Sequence, residues 1–148
     1  MVHVGGTLLR TALLASASFA LGDSSFDDCG KGATLYNVTA AGTEPAAVTK
    51  NMDFNISWTG DLPTELTGGT IHQSMYEKVL GHWIEAPHTF THDLCELNAC
   101  PVAPHAALTL KIHTNMPSIV PSGDYKVKVA LTDTAGAAVS CADVYYTV

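Results

Sequence analysis

Lys50-Asn51-Met52-Asp53-Phe54-Asn55-Ile56-Ser57-Trp58-Thr59 alternates without a break. Met52, Phe54, Ile56 and Trp58 fall on one side; Asn51, Asp53, Asn55 and Ser57 fall on the other. Period two over that length specifies a half-buried β-strand and excludes an amphipathic helix. The same pattern returns twice downstream. Leu108, Leu110, Ile112 and Met116 alternate with Thr109, Lys111, His113 and Asn115. Tyr125, Val127, Val129 and Leu131 alternate with Lys126 and Lys128. Pro121-Ser122-Gly123-Asp124 and Thr134-Ala135-Gly136 carry turn chemistry between these runs. Val139 to Val148 reads as a last strand. There Cys141 breaks the parity of Val144, Tyr146 and Val148, which predicts a bulge near Ala142. Short strands separated by Gly, Pro, Asn and Asp turns predict an all-β sandwich or barrel.

The segment from Gly60 to Cys95 is less regular. Val79 to Ile84 is apolar without a period. Ser74 to Leu80 suits a strand slightly better than a short helix. His88 to Phe90 and Cys95 to Pro101 read as loop.

The chain has 148 residues, enough for one domain. With 47% apolar and 14% charged residues it can bury a sizeable core. A formal charge of −7 disfavours nucleic acid and anionic membrane surfaces as electrostatic partners. Arg10 followed by the apolar run Thr11 to Ala20 reads as a secretory signal over residues 1–22, cleaved after Ala20 or Gly22. That run is too short to span a bilayer, and no later segment is apolar enough, so the mature part, 23–148, is expected to be soluble. Four cysteines remain there: Cys29, Cys95, Cys100 and Cys141. An even count in a secreted chain predicts two disulfides, with three pairings open. Asn37-Val38-Thr39 and Asn55-Ile56-Ser57 are sequons that make Asn37 and Asn55 candidate glycosylation sites.

Four motifs, in order, resemble the ML (lipid-recognition) domain family. They are Phe26-Asp27-Asp28-Cys29-Gly30; Thr91-His92-Asp93-Leu94-Cys95 followed by Ala99-Cys100-Pro101-Val102; Pro121-Ser122-Gly123-Asp124-Tyr125; and Asp133-x-x-Gly136 followed by Cys141. The motif spanning Thr91 to Val102 is most similar to the phosphatidylglycerol/phosphatidylinositol transfer-type members; the sterol carrier of the Niemann–Pick type C pathway is another branch. The resemblance implies an immunoglobulin-like β-sandwich of two antiparallel sheets with a hydrophobic cavity between them. It implies the pairs Cys29–Cys141 and Cys95–Cys100. It places Ile119, Val120 and Pro121 at the cavity mouth. The third, early bridge of the animal sterol carrier is missing, which leaves Thr43 to Val48 less constrained. A loop from Leu80 to Phe90 is longer than in the plant-like relatives.

The expected lining therefore comprises Phe54, Ile56, Trp58, Leu110, Ile112, Met116, Ile119, Val120, Pro121, Tyr125, Val127 and Val129. Periodicity alone suits a filled core equally well, because interiors are normally close-packed. The resemblance is what favours an open slot holding one sterol or phospholipid, delivered by transient contact with a membrane or membrane-protein acceptor. The alternatives are a module that presents lipid to a receptor, and a plain extracellular sandwich with a filled core. A monomer is expected, in the extracellular space or the lumen of a vacuole or lysosome. His92-x-x-Cys95-x4-Cys100-x4-His105 superficially suits zinc, but an oxidising compartment favours a disulfide, so neither metal nor cofactor is expected. His72, His82, His88, His92, His105 and His113 read as surface residues, with pH gating by those near Trp83 the sharper idea. No G-x-S-x-G, P-loop or H-E-x-x-H is present, so the chain is not read as an enzyme.

Overall fold

A computed structural model describes residues 24–31 and 35–148. The proposed signal, 1–22, lies outside the described residues. The elements are β1 (Ser25–Asp28), β2 (Asn37–Glu44), β3 (Met52–Leu62), β4 (Gly69–Val79), β5 (His82–Asp93), α1 (Leu94–Leu97), β6 (His105–Met116), β7 (Asp124–Asp133) and β8 (Ala138–Thr147). They form two antiparallel sheets, of order β1-β8-β7-β4-β5 and β2-β3-β6. This is the immunoglobulin-like all-β sandwich that the resemblance implied.

The three alternating runs are β3, β6 and β7, and their apolar faces meet in one core. Phe54, Ile56, Trp58, Leu110, Ile112, Met116, Val127, Val129 and Leu131 are all buried there. Phe54 of the small sheet packs edge-on against Tyr146 of the large sheet, ring centres 5.6 Å apart. Both implied disulfides are formed: Cys29–Cys141 ties the loop after β1 to β8, and Cys95–Cys100 staples the segment after β5. That staple takes both sulfurs of the zinc-like spacing.

Three details depart from expectation. The bulge in β8 lies at Val139, not near Ala142, because Leu131 pairs with Ser140 and Thr132 with Ala138. Val139 and Ser140 are consecutively buried, and from Cys141 onward the alternation is regular. Cys141 faces outward towards Cys29, so its parity break reflects the disulfide partner and not the bulge. Second, Leu80 to Phe90 is no long loop. Leu80 and Gly81, with φ of 50° and 82°, make a two-residue turn that reverses β4 into β5. Two consecutive left-handed residues match the twist of a hairpin. His88 to Phe90 therefore belong to a strand. Third, Leu94 to Leu97 form one helical turn, with the Asp93 carboxylate accepting from the Cys95 amide at 2.7 Å.

The sheets are unequal, and this positions the site. The small sheet reaches across to β4, where the Gln73 amide donates to the Thr114 hydroxyl of β6 at 3.4 Å. Edge strand β5 projects past it. Ile84 and Phe90 pair with Glu77 and Gln73 on the inner side of the large sheet. Yet they are 54% and 52% exposed. Midway along β5, Ala86, Pro87 and His88 bulge opposite Met75.

Candidate functional site

The two sheets do not stand apart. Ile56, Leu110, Ile112, Met116 and Val127 are 0% exposed, and Phe54, Trp58 and Val129 are 1% exposed. A void able to admit a water molecule would expose the atoms around it, so these eight side chains adjoin none. The expected open slot between them is shut in this structure. The reason is ordinary packing: apolar side chains from two facing sheets gain contact and lose hydrated surface by closing.

The opening lies beside the core, under the overhang of β4 and β5. There a concavity of about 260 Å³ is lined by Met75, Glu77 and Val79 of β4, Ile84, Glu85, Ala86 and Pro87 of β5, Val120 and Pro121 of the β6–β7 connection, and Tyr125 of β7. Strand geometry explains the assembly. Odd-numbered residues of β4 face inward, so Met75, Glu77 and Val79 continue the line begun by buried Ile71 and Gln73. The connection 117–123 joins the two sheets and roofs this end. Tyr125 closes the floor: its hydroxyl donates to the Pro121 carbonyl at 2.7 Å, and its ring stacks on Tyr146 at 6.0 Å. Burial and then the Glu77 charge, its cross-strand partner, push the Tyr125 phenol up. Burial pushes Tyr146 up strongly, with its hydroxyl unpartnered in the interior.

The rim is unusually greasy. Leu80 at the hairpin tip is 95% exposed and Ile119, next to the lining residue Val120, is 91% exposed. Val79 and Ile84, which line the concavity, are themselves exposed and add to the same apolar border. Single exposed apolar residues are ordinary; a set bordering a concavity marks an interaction site.

Two larger concavities are less suited to an apolar guest. One of about 410 Å³ is lined by Ser25, Lys78, Trp83, Asp124, Tyr125, Tyr145, Tyr146 and Thr147. Trp83 and Tyr145 meet there at 5.7 Å, and the nearby Lys126 ammonium lies 4.4 Å from the Tyr76 ring centre and 3.4 Å from Asp143. Another of about 390 Å³ lies on the outer side of the small sheet, among Ala40, Ser57, Thr59, Thr109 and Lys111.

Of the twelve residues expected to line a site, Val120, Pro121 and Tyr125 do meet at the concavity. Ile119 points to solvent beside it. The other eight form the closed core behind it. Sequence reasoning misses Met75, Glu77, Val79 and Ile84. A strict strand reading of 73–79 finds three of them, since Gln73, Met75, Glu77 and Val79 share one parity. Asn37 is exposed and Asn55 half-buried on the outer side of the small sheet, where Asn55 faces His113 at 3.4 Å. Of the six histidines among the described residues, His92 is half-buried, its Nε2 3.1 Å from Gln73 Oε1; the other five are exposed. Among the described residues no helix is long and apolar enough to cross a membrane.

Comparison with known proteins agrees with this architecture. Residues 23–148 match the family model described as ML domain. A Dictyostelium discoideum protein, whose name assigns it provisionally to phosphatidylglycerol/phosphatidylinositol transfer, is 32% identical over 135 residues, covering 88% of this chain and 89% of its own. Among solved structures, a Niemann-Pick type C2 protein from Japanese carpenter ant superposes with a TM-score of 0.58 at 10% identity, over 83% of this chain and 98% of that one. Chicken MD-1 complexed with lipid IVa gives 0.48 at 15% identity, over 82% and 86%.

Proposed function

Because the chain belongs to the ML domain family, we propose that it is a lipid-binding and transfer protein that carries one sterol or phospholipid molecule. The observation that carries this is the concavity under the β4–β5 overhang, which is apolar and continuous with the core through Tyr125 and Met75. An acyl tail or ring system that enters there meets side chains able to part towards the interior. The Gln73–Thr114 contact at 3.4 Å is the polar tie across that side. A neutral bond of that length adds at most about 1 kcal/mol. Burying about 400–500 Å² of apolar lipid surface yields about 10–12 kcal/mol gross. That surplus offsets separation of the sheets and the cost of association, leaving micromolar to nanomolar binding.

Delivery follows from the rim. Leu80 and Ile119 project beside the mouth, so transient contact with a membrane or membrane-protein acceptor would bring the mouth to the lipid. The contact is apolar, as a chain of charge −7 requires. The protein acts as a carrier and not as an enzyme. Residues 1–22 serve as a cleaved signal, and 23–148 work as a monomer outside the cell or in the lumen of a vacuole or lysosome. Asn37 and Asn55 carry glycans there.

A second reading is favoured by one observation: the closed inner face suits a plain extracellular sandwich whose core is simply full. Native mass spectrometry of protein purified from a secretory host separates the two. A bound mass of a sterol or phospholipid, or its uptake from vesicles, supports the carrier. A bare polypeptide mass, with no uptake from vesicles of either lipid, selects the filled core.

A further inference from the structure

Glu77 breaks the rule of its own strand. Inner positions of β4 run Ile71, Gln73, Met75, Glu77, Val79, and a carboxylate in that line is costly unless water or a partner solvates it. Among the described residues its carboxylate has no ion pair or hydrogen bond. It is half-buried and lines the apolar concavity. Glu85, the other acid of the lining, is the cross-strand partner of Tyr76, whose phenol burial and then the Glu85 charge push up.

No cation lines this concavity. Lys78 and Lys126 sit on the outer side of the sheet, held by Asp124 at 4.0 Å and Asp143 at 3.4 Å. His82, beside the hairpin tip, is exposed and stands outside the lining. A guest whose tail lies in the core therefore presents its polar end to a bare carboxylate. An ionised carboxylate only accepts hydrogen bonds. It is complemented by a hydroxyl, which donates, and opposed by a phosphodiester, which carries like charge and has no proton on its anionic oxygens.

Resting on the carrier reading above, we propose that Glu77 is the specificity-determining residue of the mouth, accepting a hydrogen bond from a lipid alcohol and excluding lipids with an anionic phosphate headgroup. Such discrimination works as much by the repelled group as by the bound one. Two like charges several ångströms apart in a half-wet setting change affinity about tenfold.

The test is competition binding at low and high salt, with a fluorescent sterol alcohol displaced by unlabelled sterol or by phosphatidylglycerol. Wild type, Glu77→Gln and Glu77→Lys are compared, with thermal melting as the folding control. Wild type is expected to favour the alcohol over phosphatidylglycerol by about tenfold. Glu77→Gln should remove most of that preference, and Glu77→Lys should reverse it. Added salt should shrink the wild-type preference. Equal competition by both lipids in wild type, or a preference unmoved by both substitutions, overturns the proposal while leaving the carrier reading intact. Failure of wild type to bind the alcohol and phosphatidylglycerol alike overturns the carrier reading itself. If Glu77→Lys does not fold, the decision falls to Glu77→Gln and the salt series.

Discussion

Replacing Val129 by aspartate puts a carboxyl group at a site that is 1% exposed, between β4 and β8 in the middle of the large sheet. Three costs add. Losing the buried Val side chain removes about 2 kcal/mol. Keeping the acid neutral at pH 7, against an ordinary value of about 3.9, costs about 4 kcal/mol. Leaving its polar atoms without partners costs about 1–3 kcal/mol. The sum, about 7–9 kcal/mol, is comparable with the whole stability of a domain this size. Val129→Asp should therefore be unfolded or molten at pH 7. The control is the preceding residue, Lys128, half-exposed on the outer side. Lys128→Gln is preferred to Lys128→Asp, because Asp143 lies directly across and would meet a second carboxylate. It should melt within a few degrees of wild type. The pH dependence gives a further check. Burial raises the folded-state value of the new aspartate above its unfolded one, so its penalty grows as pH rises above about 4 and shrinks as pH falls. Urea titrations should show a cooperative transition for Val129→Asp, if any, at pH 5 and none at pH 7.5. Equal tolerance at 128 and 129 would show that the sheet's inward and outward faces are misassigned.

Leu80→Ser with Ile119→Ser should leave melting unchanged, since both side chains are almost wholly in water, but slow lipid transfer between vesicles several-fold; an unchanged rate removes the rim from delivery. Reducing or deleting Cys29–Cys141, which spans 112 residues of sequence, should cost about 5 kcal/mol in the chain-entropy model, against about 2 kcal/mol for Cys95–Cys100, which spans 5; denaturant midpoints of the two double-alanine variants decide this, and the reverse order would refute it. Alkaline unfolding should begin above pH 10, because burial raises Tyr36 and Tyr146 strongly and, with Asp27, pushes Tyr145 up to about 12. The unfolded chain ionises first, so folded stability is intact below pH 10 and falls as pH rises beyond it; phenolate absorbance that grows without loss of the β-sheet circular-dichroism signal would contradict this.

How much of this is legible in the sequence depends on how each strand is covered. β3, β6 and β7 are covered on one side and wet on the other, so Phe54, Ile112 and Val129 alternate cleanly with polar neighbours. β5 has no sheet above its inner side, and there the alternation signal fails. Trp83 and Ile84 are adjacent, face opposite sides, and are both apolar, because one rests on Lys78 and Lys126 and the other borders the concavity. Such a strand has no clear period and reads as loop. Glu77 is hidden for a related reason: it obeys the period in position and breaks it in chemistry. The closure of the core lies beyond sequence reasoning altogether. Alternation reports which side chains face inward, not the distance between the faces they form.

Edge strand β5 carries one more consequence. An unpaired strand edge is a template on which another molecule can add its own strand, hydrogen bond by hydrogen bond. Pro87 has no amide hydrogen and sits in the bulge at the middle of that edge, so a continuous ladder cannot run past it. The residue that helps wall the concavity thus also interrupts any strand that could be added along the outer edge of β5.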